Sequence, residues 1–176
     1  MVIQDRRMKK TGIFYGGTKN GNTKSVSDKL AALLKVPSID VINIADANIE
    51  TLIKYDHLIF GTSSWGIGGA HYDWENFVDL LIDIDFGGKK VAMFGLGDQK
   101  KYPESFVDGM GLIYCRLSAK DSVVGFTSVE GYDYYFSMAE REGRFVGLAL
   151  DDDSQPELTV PRLEAWAEQL KMEFKS

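Results

Sequence analysis

Short apolar runs alternate along this chain with segments whose apolar residues have helical spacing. Strands are predicted for the apolar runs at residues 11–16, 39–44, 56–62 and 91–95. Helices are predicted at 22–34, 72–84, 104–118 and 161–174. A fifth strand is predicted to start at 122–127 and to resume at 145–150. Apolar strands that alternate with amphipathic helices predict an α/β protein with a parallel sheet covered on both faces.

Three glycine-containing polar segments each directly follow a predicted strand. They occupy residues 17–23, 63–68 and 95–102, after the first, third and fourth strands. The carboxyl ends of parallel strands lie at one edge of a sheet, and ligands of doubly wound sheets bind at that edge where the strand order reverses. The three segments therefore predict one ligand site.

The first segment is suited to a phosphate. From Gly16 its spacing matches the nucleotide-binding pattern G-x-x-x-x-G-K-[ST], but Asn22 stands at the lysine position, so a triphosphate would lack its main counter-charge. Backbone N–H groups at a helix N-terminus, with hydroxyl and amide donors from Thr18, Asn20 and Thr23, suit one phosphate monoester. A plain turn with a helix N-cap is the alternative explanation of the same residues.

The other two segments each contribute an aromatic side chain, Trp65 and Tyr102. Two aromatic rings beside a phosphate loop predict a planar ring with a phosphorylated tail, most simply flavin mononucleotide (FMN). A dinucleotide is disfavoured, because residues 66–71 depart from G-x-G-x-x-G at His71 and no matching acidic residue follows a second strand. His71 lies close enough to this loop to affect the site with pH.

Taken together, these residues resemble the long-chain flavodoxins. The resemblance runs from Thr11 to Phe174 and includes Asp-Trp-Glu at 73–75, Phe-Gly-Leu-Gly-Asp-Gln at 94–99, Gly-Tyr-Asp at 131–133 and Phe-Val-Gly-Leu-Ala-Leu-Asp at 145–151. It implies a flavodoxin-like doubly wound, five-stranded parallel sheet of order 2-1-3-4-5, with helices on both faces. The fifth strand would be split by an insertion at about 129–143. One FMN-binding domain would span 1–176, with 1–10 as a flexible basic arm.

The resemblance also implies a role for each residue of the site. The FMN phosphate would be held by Thr18, Lys19, Asn20, Gly21, Asn22 and Thr23. Trp65 would stack on the inner face of the ring and Tyr102 on the outer face. The ribityl chain would lie near Ser63 and Ser64, and the pyrimidine edge near Gly97, Asp98, Ser105 and Phe106. The remaining implied contacts are Gly66, Ile67, Gly68 and Asp153.

Two departures from the family pattern affect this site. Asn20 replaces the middle hydroxyl of the phosphate loop, and Gly66 stands where Asp or Asn is frequent. The resemblance implies that the peptide joining Gly66 and Ile67 flips when the flavin is reduced. Glycine accommodates such a flip at a cost of roughly 1 kcal/mol less than another residue, because it lacks a Cβ.

The function implied is that of a low-potential one-electron carrier without catalytic residues. Its partners would be basic redox proteins, such as a flavodoxin/ferredoxin-NADP reductase, and low-potential acceptors. An FMN-dependent quinone or NAD(P)H oxidoreductase of the same fold is the alternative, and Tyr102 covering the ring argues against it. A phospho-receiver domain fails because residues 16–17 and 62–63 lack the acidic residues that it requires.

Charge and composition agree with a cytoplasmic monomer. The formal net charge is -6, and residues 121–160 hold nine acidic residues against Arg141 and Arg144, which disfavours nucleic acid and favours basic protein partners. The sequence contains no run of about eighteen apolar residues, so it does not predict insertion into a membrane. The lone Cys115 fits a reducing compartment and is predicted to be buried on its helix, and no spacing of Cys and His predicts a metal site.

Overall fold

A parallel sheet forms the centre of the computed structural model, which describes residues 7–65 and 69–175. The strands are β1 (Thr11–Tyr15), β2 (Val41–Asn43), β3 (His57–Trp65), β4 (Gly69–Ala70), β5 (Lys90–Leu96), β6 (Thr127–Ser128), β7 (Glu140–Arg141), β8 (Arg144–Phe145) and β9 (Leu148–Leu150). The α-helices are α1 (Asn22–Leu34), α2 (Ile49–Ile53), α3 (Glu75–Val78), α4 (Asp108–Arg116) and α5 (Pro156–Glu173). Single 3₁₀ turns occur at Ser38–Asp40, Ile44–Asp46, Tyr72–Trp74, Asp79–Asp83 and Lys120–Ser122.

The strand order of the sheet is β2-β1-β3-β5-β9, and all neighbours along this path are parallel. This is the order 2-1-3-4-5 that the family resemblance implies, so the doubly wound topology is confirmed. Strand β4 adds an antiparallel pair to the end of β3. The chain leaves β1 toward one edge of the sheet and later returns toward the other, which creates a switch point between β1 and β3 where a ligand cleft is expected.

Helices cover both faces of the sheet. Helices α1 and α5 bury one face through a cluster that includes Leu30 and Trp166. Helices α3 and α4 bury the other through a cluster that includes Trp74 and Met110. In the described ranges, no helix combines the length and apolarity needed to cross a membrane.

The fifth strand position is filled in two pieces. Val123 forms a parallel bridge with Val91 near the start of β5, whereas β9 pairs with the end of β5 from Phe94 to Leu96. Between these pieces, β6, β8 and β7 form a small antiparallel sheet. The insertion that splits the fifth strand is therefore present, and part of it lies beside the edge of the sheet where the predicted site is.

Several sequence predictions of local structure are wrong in detail. The helix predicted at 72–84 is broken into two 3₁₀ turns around the single turn of α3. The helix predicted at 104–118 begins only at Asp108, because Val107 has a left-handed φ of 49°. The last helix starts at Pro156, so Pro161 lies inside the helix rather than in its first turn.

Cys115 is exposed, contrary to the prediction of a buried thiol. Helix α4 buries Met110 and Ile113. Successive residues of a helix are about 100° apart around its axis, so Cys115, two residues after Ile113, lies on nearly the opposite side of the helix. The Arg141 guanidinium lies 3.2 Å from the Cys115 sulfur.

The end of the predicted basic arm contacts the opposite edge of the sheet from the cleft. Arg7 pairs with Asp56 at 2.9 Å, and the backbone N–H of Lys10 donates to the same carboxylate at 2.8 Å. The Lys10 ammonium lies over the Tyr55 ring, 4.8 Å from its centre. Residues 1–6 of the arm lie outside the described residues. From residue 7 onward these contacts join the arm to the sheet, and the flexibility of the arm stays a prediction.

His57 at the start of β3 gives the fold a predictable dependence on pH. Its ring is 7% exposed and stacks on Phe174 at 4.3 Å, and burial, assisted by the positive charge of Lys9, lowers its pKa. Below the ordinary histidine pKa of about 6.5, the unfolded chain takes up a proton that the folded chain resists, so stability falls as pH falls. We expect His57→Phe to reduce the loss of unfolding free energy between about pH 7 and 5, as measured by urea unfolding at both values. An identical pH dependence in the parent and the variant would contradict this assignment.

Candidate functional site

A cleft of about 330 Å³ opens where β1, β3 and β5 end. Its volume lies within the range of about 300–1,000 Å³ that is usual for small-molecule sites. The residues that line it include members of all three segments that the sequence singled out, together with residues from the loops after β4, β5 and β9. They are Gly17, Thr18, Gly21, Asn22, Thr23, Ser63, Ser64, His71, Leu96, Gly97, Asp98, Tyr102, Ser105, Phe106, Val107, Asp152 and Asp153.

One end of the cleft is formed by the loop before α1. Gly21 is the N-cap of α1, so no N-cap side chain accepts a hydrogen bond from the first turn of the helix. That turn also contains no acidic residue. The first N–H groups of a helix have no intrahelical acceptor and carry the positive end of the helix dipole, so this terminus suits an anion. Thr18 and Thr23 line the same end, whereas Lys19 and Asn20 are exposed and do not line the cleft.

A second layer of side chains holds this loop from behind. The backbone N–H of Gly17 donates to the Asp73 carboxylate at 2.9 Å, and the Asn43 amide donates to the Gly17 carbonyl at 2.9 Å. The Asn43 amide also donates to Asp73 at 3.1 Å. These bonds join β2, the turn before α3 and the loop after β1, and so they fix the direction in which the loop enters α1.

His71 is buried at 2% exposure and lines the cleft. Its backbone N–H donates to the Thr62 hydroxyl at 3.0 Å, and its ring Nδ1 accepts from the backbone N–H of Asp73 at 3.1 Å. Burial lowers the pKa of His71, although the Asp73 carboxylate opposes that shift. The sequence expectation that His71 lies close to the predicted site agrees with its position in the lining.

The loop after β5 forms the other end of the cleft. The Asp98 carboxylate accepts from the backbone N–H groups of Lys100 and Lys101 at 3.1 and 3.0 Å, which fixes a tight turn. Tyr102 closes that turn through its N–H to the Asp98 carbonyl at 2.9 Å, and its side chain is 45% exposed at the mouth of the cleft. Ser64 lies across the cleft, where its hydroxyl accepts from the N–H of Gly109 in α4 at 3.1 Å.

Carboxylates concentrate at this end of the cleft. Asp98, Asp152 and Asp153 all line it. Burial, together with the negative charges of Asp98, Asp151 and Asp152, raises the pKa of Asp153. The site therefore offers N–H donors and a helix dipole at one end and a negative potential at the other.

The structure brings most of the predicted site residues into one lining. The side chain of Trp65 and residues Gly66, Ile67 and Gly68 lie outside the described residues. Leu96, Val107 and Asp152 line the cleft but are not among the predicted contact residues, although Leu96 lies within the predicted segment 95–102. In the sequence, Leu96 and Val107 cannot be distinguished from apolar residues of the core. Asp152 could have been found through its neighbour Asp153. Across the described ranges, no group of three His, Cys, Asp or Glu side chains is placed to hold a metal ion.

Comparison with known proteins agrees with this architecture. The flavodoxin family model matches residues 13–166. The chain is 43% identical to a flavodoxin of Picosynechococcus sp. over 95% of this chain and 99% of the relative, and 39% identical to flavodoxin 1 of Azotobacter vinelandii over 95% and 98%. The solved structure of Fusobacterium nucleatum flavodoxin bound to flavin mononucleotide superposes with a TM-score of 0.83 at 35% identity, covering 95% of this chain and 99% of that one. The chain belongs to the flavodoxin family.

Proposed function

We propose that FMN binds in the cleft and that the protein is a low-potential one-electron carrier. Two features at opposite ends of the same cleft support this most strongly. At one end, no side chain caps the N-terminus of α1, and at the other end lies the aromatic side chain of Tyr102. The first feature suits a phosphate monoester and the second a flat ring. The FMN-bound Fusobacterium relative supports the same ligand.

The phosphate would lie at the end formed by the loop before α1. Backbone N–H groups of Asn22 and Thr23 and the hydroxyls of Thr18 and Thr23 would donate to it, whereas the Gly21 N–H donates to the Thr18 carbonyl at 3.1 Å and shapes the loop. Hydrogen bonds to a charged acceptor contribute about 1.5–3 kcal/mol each. The Gly17 N–H would remain on Asp73, so the loop keeps its shape whether or not the ligand is bound. Lys19 and Asn20 are exposed, and we assign them a contribution through charge and loop shape rather than through direct contact.

The ring would lie at the end formed by the loop after β5. Tyr102 would cover its outer face, and Trp65 is proposed for the inner face on the strength of the family resemblance, with Gly66, Ile67 and Gly68 beside it. The pyrimidine edge would meet Gly97, Asp98, Ser105 and Phe106, and Ser63 and Ser64 would lie along the ribityl chain. Asp153 would approach the ring from the loop after β9.

The protein's own residues would set the redox behaviour. FMN, when bound, supplies one-electron transfer. The carboxylates of Asp98, Asp152 and Asp153 disfavour an additional negative charge at the ring, so they lower the potential of the second reduction. Each 1.4 kcal/mol of such disfavour corresponds to about 59 mV for one electron. The protein tunes the flavin and forms or breaks no bond in a substrate.

Flavodoxins are electron-transfer proteins, and this chain is accordingly a carrier rather than an enzyme. A quinone or NAD(P)H oxidoreductase would need an open approach for a substrate over the ring. The side chain of Tyr102 stands at the mouth of the cleft, where such a substrate would have to enter. Its position favours the carrier function over this alternative.

Basic redox proteins of the cytoplasm, such as a flavodoxin/ferredoxin-NADP reductase, are the partners that the charge distribution favours, with the carrier acting as a monomer. Asp98, Asp152 and Asp153 line the exposed end of the cleft and outnumber the Lys101 ammonium that lies beside Tyr102, so electrostatic attraction should accelerate encounter. We expect the rate of electron transfer with such a reductase to fall as salt increases, because the Debye length at physiological ionic strength is only about 8 Å. Stopped-flow rates that do not change with ionic strength would contradict docking through these carboxylates.

The direct test of the carrier function is reduction of the FMN-loaded protein followed by its absorbance. We expect flavin bands that bleach in two separate one-electron steps, with the second step at low potential. A single two-electron step, or rapid turnover of NADPH with a quinone, would instead support the oxidoreductase.

A further inference from the structure

A fully buried carboxylate lies directly behind the cleft. Asp151 is 0% exposed, and Oδ2 accepts from the backbone N–H of Gln99 at 3.0 Å and from the Gln99 side-chain amide at 2.8 Å. Its Oδ1 accepts from the N–H of Ser154 at 2.8 Å and from that of Asp153 at 3.2 Å, and the Ser154 hydroxyl also donates to the carboxylate. Burial alone would raise the pKa of Asp151, but the hydrogen bonds from Ser154 and Gln99 outweigh it and lower the pKa.

These donors come from two separate loops. Gln99 belongs to the loop after β5, one residue beyond Asp98. Asp153 and Ser154 belong to the loop after β9. Neither Gln99 nor Asp151 is among the described residues that line the cleft. Asp151 therefore connects the two acidic loops of the site without contacting the ligand position.

Gln99 extends this connection to the insertion. Its side chain is 3% exposed, and its Oε1 accepts from the backbone N–H of Asp133 at 2.5 Å while its Nε2 donates to Asp151. An amide side chain is the group that can accept from an N–H with one atom and donate to a carboxylate with the other. We call Gln99, Asp151 and the backbone N–H of Asp133 the Gln99 clamp.

The clamp opposes an electrostatic repulsion within the site. The two loops bring Asp98 and Asp153 close enough that the charge of Asp98 helps to raise the pKa of Asp153. Carboxylates placed in this way repel one another, and the backbone bond from the Gly97 N–H to the Leu150 carbonyl at 3.0 Å joins only the bases of the two loops. Charge-assisted hydrogen bonds in a buried position are about twice as strong as neutral ones, and they offset this repulsion.

We propose that Gln99 and Asp151 are positioning residues of the redox site, and that through Asp133 they make the insertion a structural part of it. This inference rests on the proposed binding of FMN. The clamp holds the loop of Asp98 and Tyr102 against the loop of Asp153, so it governs both the affinity for the ring and the negative potential around it. Loss of the clamp lets the two acidic loops separate.

The first test replaces Gln99 by leucine, which keeps a similar volume and removes both side-chain bonds. Gln155→Leu is the matched control, because the Gln155 amide also bonds the insertion, at the Gly131 carbonyl, but makes no bond to the loop after β5. We expect Gln99→Leu to raise the Kd for FMN about tenfold and to shift the second reduction potential upward, with Gln155→Leu unchanged in both. Equal Kd values and potentials in all three proteins would overturn the proposal.

The second test asks whether the bond itself is responsible. Gln99→Glu alone places two carboxylates together, whereas Gln99→Glu combined with Asp151→Asn removes that repulsion and lets an amide donate to a carboxylate. The rescue is partial, because Asp151 Oδ2 also accepts from the backbone N–H of residue 99, and an amide nitrogen there cannot. We expect the single variant to bind FMN more weakly than the double variant, after correction for stability measured by urea unfolding without FMN. A double variant no better than the single one would overturn the proposal.

A third measurement needs neither a variant nor FMN. Asp133 lies in an exposed stretch of the insertion, yet its N–H is bonded to the buried Gln99. We expect this amide to exchange with solvent much more slowly than the N–H of Gly143, which lies in the exposed turn between β7 and β8. Equally fast exchange would refute the clamp, whereas slow exchange in a parent protein that does not bind FMN would retain the clamp and refute the proposed function.

Discussion

Replacing Gly147 by alanine is expected to lower the free energy of unfolding by at least about 3 kcal/mol. A Cβ at this position would lie 2.0 Å from the carbonyl oxygen and 2.8 Å from the carbonyl carbon of Met93, in β5, which lies between β3 and β9. These are backbone atoms, so the clash is relieved only if β5 and β9 move apart. Overpacking costs about 1–3 kcal/mol where side chains can adjust, and we expect at least about 3 kcal/mol here because the backbone must move.

Urea unfolding of the protein without FMN measures this effect independently of the ligand. Gly143→Ala is the control, because a Cβ there meets nothing within 4 Å and only the left-handed φ of 76° is unfavourable, at a cost of roughly 1 kcal/mol. If Gly147→Ala unfolds at the same urea concentration as Gly143→Ala, that result would contradict the close contact between Gly147 and the backbone of β5.

Replacing Tyr102 by alanine is expected to weaken FMN binding about 10- to 100-fold. Stacking of a nucleobase on an aromatic side chain contributes about 1–3 kcal/mol, and each 1.4 kcal/mol is a factor of ten in Kd. Tyr102 is the aromatic side chain that the described lining places at the mouth of the cleft, and its backbone is fixed by Asp98. Removal of its electron-rich face should also raise the second reduction potential.

Fluorescence titration with FMN provides the measurement for Tyr102. Tyr102→Phe keeps the aromatic face and should bind within about threefold of the parent, which separates stacking from the hydroxyl. Tyr135→Ala removes a tyrosine that is 79% exposed on the insertion and does not line the cleft, so it should have no effect. An unchanged Kd in Tyr102→Ala would remove Tyr102 from the proposed site.

The sequence predicts the order of elements well because apolar strands and amphipathic helices leave a strong periodic signal. It fails where tertiary contacts decide the local conformation. Trp74, Phe77 and Leu81 are all buried as the spacing predicts, but spacing of three or four residues does not separate an α-helix from successive 3₁₀ turns. Pro161 is compatible with a first turn, and only the structure shows that Pro156 occupies that place.

The site shows a similar division. Residues that follow strands directly are predictable, because the parallel topology fixes the edge at which they lie. The side chains that hold these loops are not predictable. Asn43 and Asp73 reach Gly17 across 26 and 56 positions, and Asp151 reaches Gln99 across 52. Such contacts leave no local pattern in the sequence. An Asn, Asp or Gln whose side chain is buried and hydrogen-bonded cannot be told there from one whose side chain is exposed to solvent.

In the proposed site, the N-terminus of α1 and its loop hold the phosphate of FMN. Calorimetric titration of the protein with FMN and, separately, with riboflavin tests it most directly, because the two ligands differ only in that phosphate. We expect one FMN per chain, bound at least about 100-fold more tightly than riboflavin, which corresponds to about 2.7 kcal/mol and to the loss of one or two charge-assisted hydrogen bonds. Equal affinity for the two ligands would contradict it.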